Sequence, residues 1–128
     1  MNKQLFFYLS GIGASLLIFV FLLGVNLISY SVKEKCAIAQ EKYNGDCAES
    51  LIAYLDDEQN SFHSRNSAIW ALGQLGDERA LPILKKYYTG YNGERNNRHQ
   101  ELAQLELKRA IGYMEGNLNI TKFFWNFK

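Results

Sequence analysis

The sequence is poor in the residues that announce most specialised functions. One proline among 128 residues excludes a collagen-like rod and a proline-rich disordered chain. Two cysteines are too few to staple a disulfide-dense mini-protein. Fourteen basic residues against thirteen acidic ones leave a formal net charge of +1. Affinity for a phosphate backbone needs many unopposed Lys and Arg, so no nucleic-acid partner is expected. Histidine is scarce as well: His63 and His99 form no i, i+4 pair. No HExxH, CxxC, GxGxxG or Walker pattern occurs. Asp56-Asp57-Glu58 could suggest paired acids, but adjacent positions at a helix end point in different directions, so a solvated loop is expected. The inventory predicts no metal, no cofactor, no small-molecule substrate and no catalysis.

Charge is also missing from one whole stretch. From Gln4 to Val32 no residue is charged, although the chain holds 27 charges elsewhere. Leu5 to Tyr30 reads LFFYLSGIGASLLIFVFLLGVNLISY. As a helix it measures roughly 39 Å, more than the ~30 Å hydrocarbon core requires. Tyr8 and Tyr30 lie near its ends, where amphipathic rings favour the interface. A cleaved signal peptide has a shorter apolar region of about 7–15 residues and a small-residue cleavage site. Ser29-Tyr30-Ser31 matches such a site only weakly. Residues 1–4 therefore read as a short tail and 5–31 as a single transmembrane helix, with the lipid bilayer as its partner. Within it Gly11, Ala14 and Ser15 lie at helical spacing beside Ser10. Such a patch permits close helix–helix packing, as in a subunit of a membrane complex, but small residues are also merely tolerated in membrane helices.

Residues 33–128 carry 13 basic and 13 acidic groups and no long alternating pattern, so they read as helical rather than stranded. Asp46 with Glu49 forms a capping-box-like start, Ser61 and Asp77 are candidate N-caps, and Gly76 and Gly90 are candidate C-terminal glycines. An internal repeat is visible at an offset of 31 residues: Ala37-Ile38 recurs as Ala68-Ile69, and Gly45-Asp46 as Gly76-Asp77. A looser third copy holds Ala110-Ile111 and Gly116-Asn117. A helix pair cannot bury its apolar face alone, and stacked pairs build a continuous core.

The stretch from Arg65 to Leu84, RNSAIWALGQLGDERALPIL, resembles a bacterial HEAT-like repeat of the type found in phycobilin lyases. The resemblance implies an all-α, armadillo-type α-α superhelix of about two and a half helix pairs, with copies near 33–57, 61–89 and 98–127. It places Pro82 at the fifth position of an inner helix, with a slight bend. Iron-binding His-Glu pairs known in some HEAT enzymes do not carry over, because Ser64 follows His63 and Gln100 follows His99.

Such a repeat implies a scaffold or adaptor that binds another protein; a lyase-like or chaperone-like accessory is the alternative from another class. The candidate contact edge is Tyr87, Tyr88, Tyr91, Arg95 and Arg98, because tyrosine offers rigid contact area with a polar tip. Charge is separated, with net −5 over residues 41–58 and net +4 over residues 79–109. The opposed blocks could steer a partner, bring copies together, or simply be solvated. Ile120, Phe123, Phe124 and Phe127 make an apolar helical stripe beside Trp125, which reads either as the closing helix of the stack or as a membrane-interface tail. Asn119-Ile120-Thr121 matches a glycosylation sequon, a pattern short enough to arise by chance. Cys36 and Cys47 are a candidate disulfide. An ideal helix pair turning at residues 44–46 separates them by roughly 9 Å along the axis, so a bridge requires a broken or re-angled first helix. A long uncharged segment behind a short basic N-terminus behaves as a signal anchor, which predicts the repeat domain outside the cytoplasm.

Overall fold

A computed structural model of the chain describes residues 2–94 and 97–120. Among the described residues the regular structure is entirely helical: α1 (Lys3–Lys42), α2 (Cys47–Asp56), α3 (Phe62–Leu75), a 3₁₀ turn (Glu78–Ala80), α4 (Leu81–Tyr87) and α5 (Gln104–Met114). The chain divides into two units, residues 1–31 and 32–128.

The first unit is one stretch of helix. None of its described residues is buried, and large apolar side chains from Leu5 to Leu27 stand exposed. Its apolar window reaches a mean hydropathy of 2.4, long and apolar enough to cross a membrane. The few polar side chains bond back to their own helix. Ser10 Oγ donates to the Phe7 carbonyl at 2.9 Å, Ser15 Oγ to Gly11 at 2.9 Å, and Asn26 Nδ2 to Leu22 at 2.8 Å. A hydroxyl donor satisfied this way needs neither water nor a partner helix, and Asn26 places one of its two amide N–H groups likewise.

The second unit begins with the remainder of α1, which buries Val32, Cys36 and Ala39. The chain then runs back along α1 before α2 starts. Gln40 Nε2 donates to the Gly45 carbonyl at 3.2 Å, and the Ser50 hydroxyl donates to Tyr43 at 3.2 Å. This return corrects the sequence-based geometry of the cysteines. Cys36 and Cys47 are bridged with Cα atoms 5.0 Å apart, while α1 stays unbroken to Lys42. The expected separation assumed a turn at the helix tip; the link 43–46 instead carries the start of α2 back beside Cys36.

Both Gly-Asp pairs do what their chemistry favours. Asp46 caps α2 in a full capping box: the Glu49 amide donates to Asp46 Oδ1 at 2.9 Å, and the Asp46 amide donates to Glu49 Oε2 at 3.1 Å. Gly76 ends α3 in the left-handed conformation, φ 61°, which only glycine adopts without strain. Asp77 then caps the 3₁₀ turn rather than an α-helix. The α-helix restarts at Leu81, so Pro82 sits in the first turn of α4, where no amide donor is needed, and not at a fifth helical position. Helix α4 ends at Tyr87, and Gly90, at φ 113°, lies beyond its cap in the following loop.

The helices stack in series, α2 on α3 and α3 on α5, with α4 against α5, the arrangement of a short α-α superhelix. Leu51, Leu55, Ile69, Leu72, Leu84 and Leu107 form the fully buried centre. The two Ala-Ile pairs differ in burial. Ala68 and Ile69 lie inside because α3 is covered on two sides, whereas Ala37 and Ile38 are exposed on the first helix of the stack.

Candidate functional site

Asn66, on α3, organises the loop that leads into α5. It is 4% exposed, and both sides of its amide are used. Its Nδ2 donates to the Arg98 and Glu101 carbonyls, each at 3.1 Å, and its Oδ1 accepts from the Ala103 amide at 2.8 Å. That anchorage holds Arg98 at the start of the turn 98–100, against α5. There Arg98 Nη2 meets Glu106 Oε1 at 2.9 Å, and Arg109 Nη1 reaches the same oxygen at 3.3 Å. Glu106 is 11% exposed while the two guanidinium side chains are 49% and 54% exposed. One carboxylate is thus shared between two open cations, leaving net positive charge and, among the described residues, unpaired N–H donors at the surface.

These residues edge a trough along α3. Three depressions of about 300, 260 and 110 Å³ follow one another, and neighbours share walls. At the α5 end Trp70 and Tyr113 face Arg98 and Arg109. In the middle Trp70, Ser67 and Arg98 continue towards Lys35. At the far end Lys35 and Ile38 of α1 meet Leu51, Tyr54 and His63. The His63 ring, in the first turn of α3, is stacked on His99 with centroids 5.4 Å apart and planes 13° apart. The two histidines are exposed, His63 in the first turn of α3 and His99 in the turn 98–100, and they sit together rather than separately.

The candidate residues read from sequence fall in different places. Tyr87 is half-buried, and its hydroxyl donates to Asp56 Oδ1 at 2.8 Å; both burial and that hydrogen bond raise its pKa. The Tyr88 hydroxyl accepts from the Tyr91 amide at 3.3 Å, and Lys108 Nζ lies 5.6 Å from the Tyr91 ring centre. These three tyrosines tie α4 and its loop to α2 and α5, while Arg98 faces the trough. Arg95 and the tail residues Phe123, Phe124, Trp125 and Phe127 lie outside the described residues. Gly11, Ala14 and Ser15 are exposed on the first unit, with open space around Gly11. Asn119 Nδ2 donates to the Gly73 carbonyl at 2.9 Å, so the sequon amide serves the C-terminal end of α3.

The acidic run ends α2 and enters a turn, with Asp56 and Glu58 exposed and Asp57 partly so, and both aspartates are paired. Asp56 accepts from Lys86 at 2.7 Å and from Tyr87, and these contacts lower its pKa. Asp57 accepts from the Tyr43 hydroxyl, the Gln59 amide and Lys42, which together hold its carboxyl down to about 2. Divergent directions, the reason for discounting a paired acid, are what let neighbours reach α4 and α1 separately. Arg79 closes a second link between the charge blocks: Nη2 lies 2.8 Å from Asp46 and 2.7 Å from Asp77, joining the two repeated Gly-Asp turns. Arg79 and Lys86 thus join the two blocks within the molecule, while Arg98 and Arg109 turn to Glu106. Among the described residues no three His, Cys, Asp or Glu side chains gather as a metal site.

Residues 64–89 match the family model of the PBS lyase HEAT-like repeat. The match covers α3 from its first turn, the Gly76-Asp77 turn and α4. No curated protein and no solved structure matches the chain. The repeat thus supplies the floor of the trough, and its walls come from flanking segments that the family match does not cover. Sequence reasoning missed this trough. Its signal was the stripe His63, Ser67, Trp70 and Gln74, spaced i, i+4, i+7 and i+11 on α3, opposite the apolar positions.

Proposed function

We propose that this chain is a membrane-anchored helical-repeat scaffold that binds another protein without catalysing a reaction. Residues 5–31 span the bilayer, and residues 33–128 are displayed outside the cytoplasm. The observation that carries the reading is an uncharged helix with exposed apolar side chains and self-satisfied polar ones, followed by a HEAT-like repeat. Water penalises such a surface and lipid does not. The Cys36–Cys47 bridge supports the outside placement, since disulfides persist in oxidising compartments.

The test is affinity purification from detergent-solubilised native membranes at native expression, with thiol labelling of the same material. A stoichiometric partner, and cysteines that react with maleimide only after reduction, are expected. Recovery of the bait alone, or free thiols in unreduced protein, contradicts the reading. The open face at Gly11 favours a second version, a small subunit packing within the membrane. Loss of the partner on Gly11→Leu, with the repeat still folded, would assign binding to the span.

A further inference from the structure

Resting on the protein-binding reading, we propose that the trough along α3 receives an extended acidic segment of the partner. Its carboxylates meet Arg98 and Arg109 at one end and Lys35 at the other, and its apolar side chains lie on Trp70 and Tyr113 between.

Charge decides the occupant. Glu106 alone opposes Arg98 and Arg109, and Lys35 takes part in no ion pair among the described residues. Exposed guanidiniums with unused donors are suited to bidentate capture of carboxylate, and the neighbouring indole and phenol rings provide flat apolar plates. From Gln74 to His63 the floor runs eleven residues of helix, about 16 Å. An extended peptide of about five residues covers that distance. The chain's own tail is a poor occupant, because Lys122 and Lys128 bring like charge to a basic trough. A second copy is also the poorer occupant: four of the six carboxylates of its acidic block are already paired, Asp46 and Glu49 with Arg79, Asp56 with Lys86 and Asp57 with Lys42.

The experiment is fluorescence anisotropy of a labelled decapeptide, Gly-Ser-Glu-Phe-Glu-Glu-Phe-Glu-Ser-Gly, titrated with the full chain in detergent micelles. Saturable binding in the micromolar range is expected, weakening as salt rises. Arg109→Glu and Lys35→Glu should each weaken it about tenfold with an unchanged far-ultraviolet circular dichroism spectrum. Lys35→Glu disturbs no internal ion pair, so it tests the trough even if Arg109→Glu perturbs Glu106. No saturable binding, wild-type affinity in both variants, or tighter binding of the lysine-for-glutamate peptide overturns the proposal. Tighter binding of a peptide of residues 119–128 than of the acidic one also overturns it and assigns the trough to the tail. A native partner retained equally by wild type and by the double variant leaves the protein-binding reading standing and removes the trough from it. Peptide binding by a chain that recovers no partner supports the trough and removes the adaptor reading.

Discussion

Three backbone groups near the start of α5 depend on one side chain. Asn66 supplies two donors and one acceptor to Arg98, Glu101 and Ala103, and alanine there strands all three. Unsatisfied buried groups are costly, so Asn66→Ala should destabilise the fold by about 2–3 kcal/mol. The measurement is the urea midpoint of the full chain in detergent, at unchanged slope. Arg65, 4% exposed, is a contrasting case. Its Nε donates to the Leu55 carbonyl at 2.8 Å, while Nη2 finds no hydrogen-bond partner among the described residues and the charge rests against the Tyr87 and Phe62 rings. Asp57 carries the acid response. Its folded pKa, about 2, lies below the unfolded value of about 3.9, so its stabilisation is present above pH ~4 and is lost as pH falls towards 2. Asp46 and Asp56, also lowered, act with the same sign. Melting temperature should fall over that window, and Asp57→Asn should flatten the fall. An unchanged profile in the variant would place the acid response elsewhere. The roles of Asn66, Arg65 and Asp57 were not legible in the sequence: a polar residue inside or just beyond a helix does not declare which distant group it serves.

At the scale of elements, α3 and α5 cross closely at Gly73. A Cβ there would stand 3.0 Å from the Ala110 Cβ and 3.1 Å from its Cα. Alanine gains up to about 1 kcal/mol of helix propensity, but overpacking against backbone costs about 1–3 kcal/mol. Gly73→Ala should therefore destabilise by about 1 kcal/mol, and Ala110→Gly should be less costly in that background than in wild type. Denaturation of the four chains of this cycle reads the coupling directly. More was legible at this scale. The 31-residue offset located both Gly-Asp turns, and the capping box at Asp46 formed as its residues dictated. Two details were not legible, because each depends on a connection rather than a helix. The 3₁₀ turn at Glu78–Ala80 moves Pro82 into a first turn, and the returning link 43–46 brings Cys47 to Cys36. Arg79, bridging successive turns, links the two copies of the repeat.

For the whole molecule, a net charge of +1 is Lys3 ahead of an uncharged stretch, the 13 basic and 13 acidic groups of residues 33–128 cancelling. The uncharged stretch was readable at once, because absence of charge over so many residues has few uses in water. The trough was not, since its walls come from α1, α2, α5 and the turn at Arg98, which only folding brings to α3. Anchorage through residues 5–31 is the claim on which the function rests. Alkaline carbonate extraction of native membranes, followed by intact-mass analysis of the pellet, tests it most directly. The anchored reading predicts a chain that stays in the pellet, dissolves only in detergent, and retains residues 5–31. Release into the alkaline supernatant, or a chain that begins near Ser31, would contradict it.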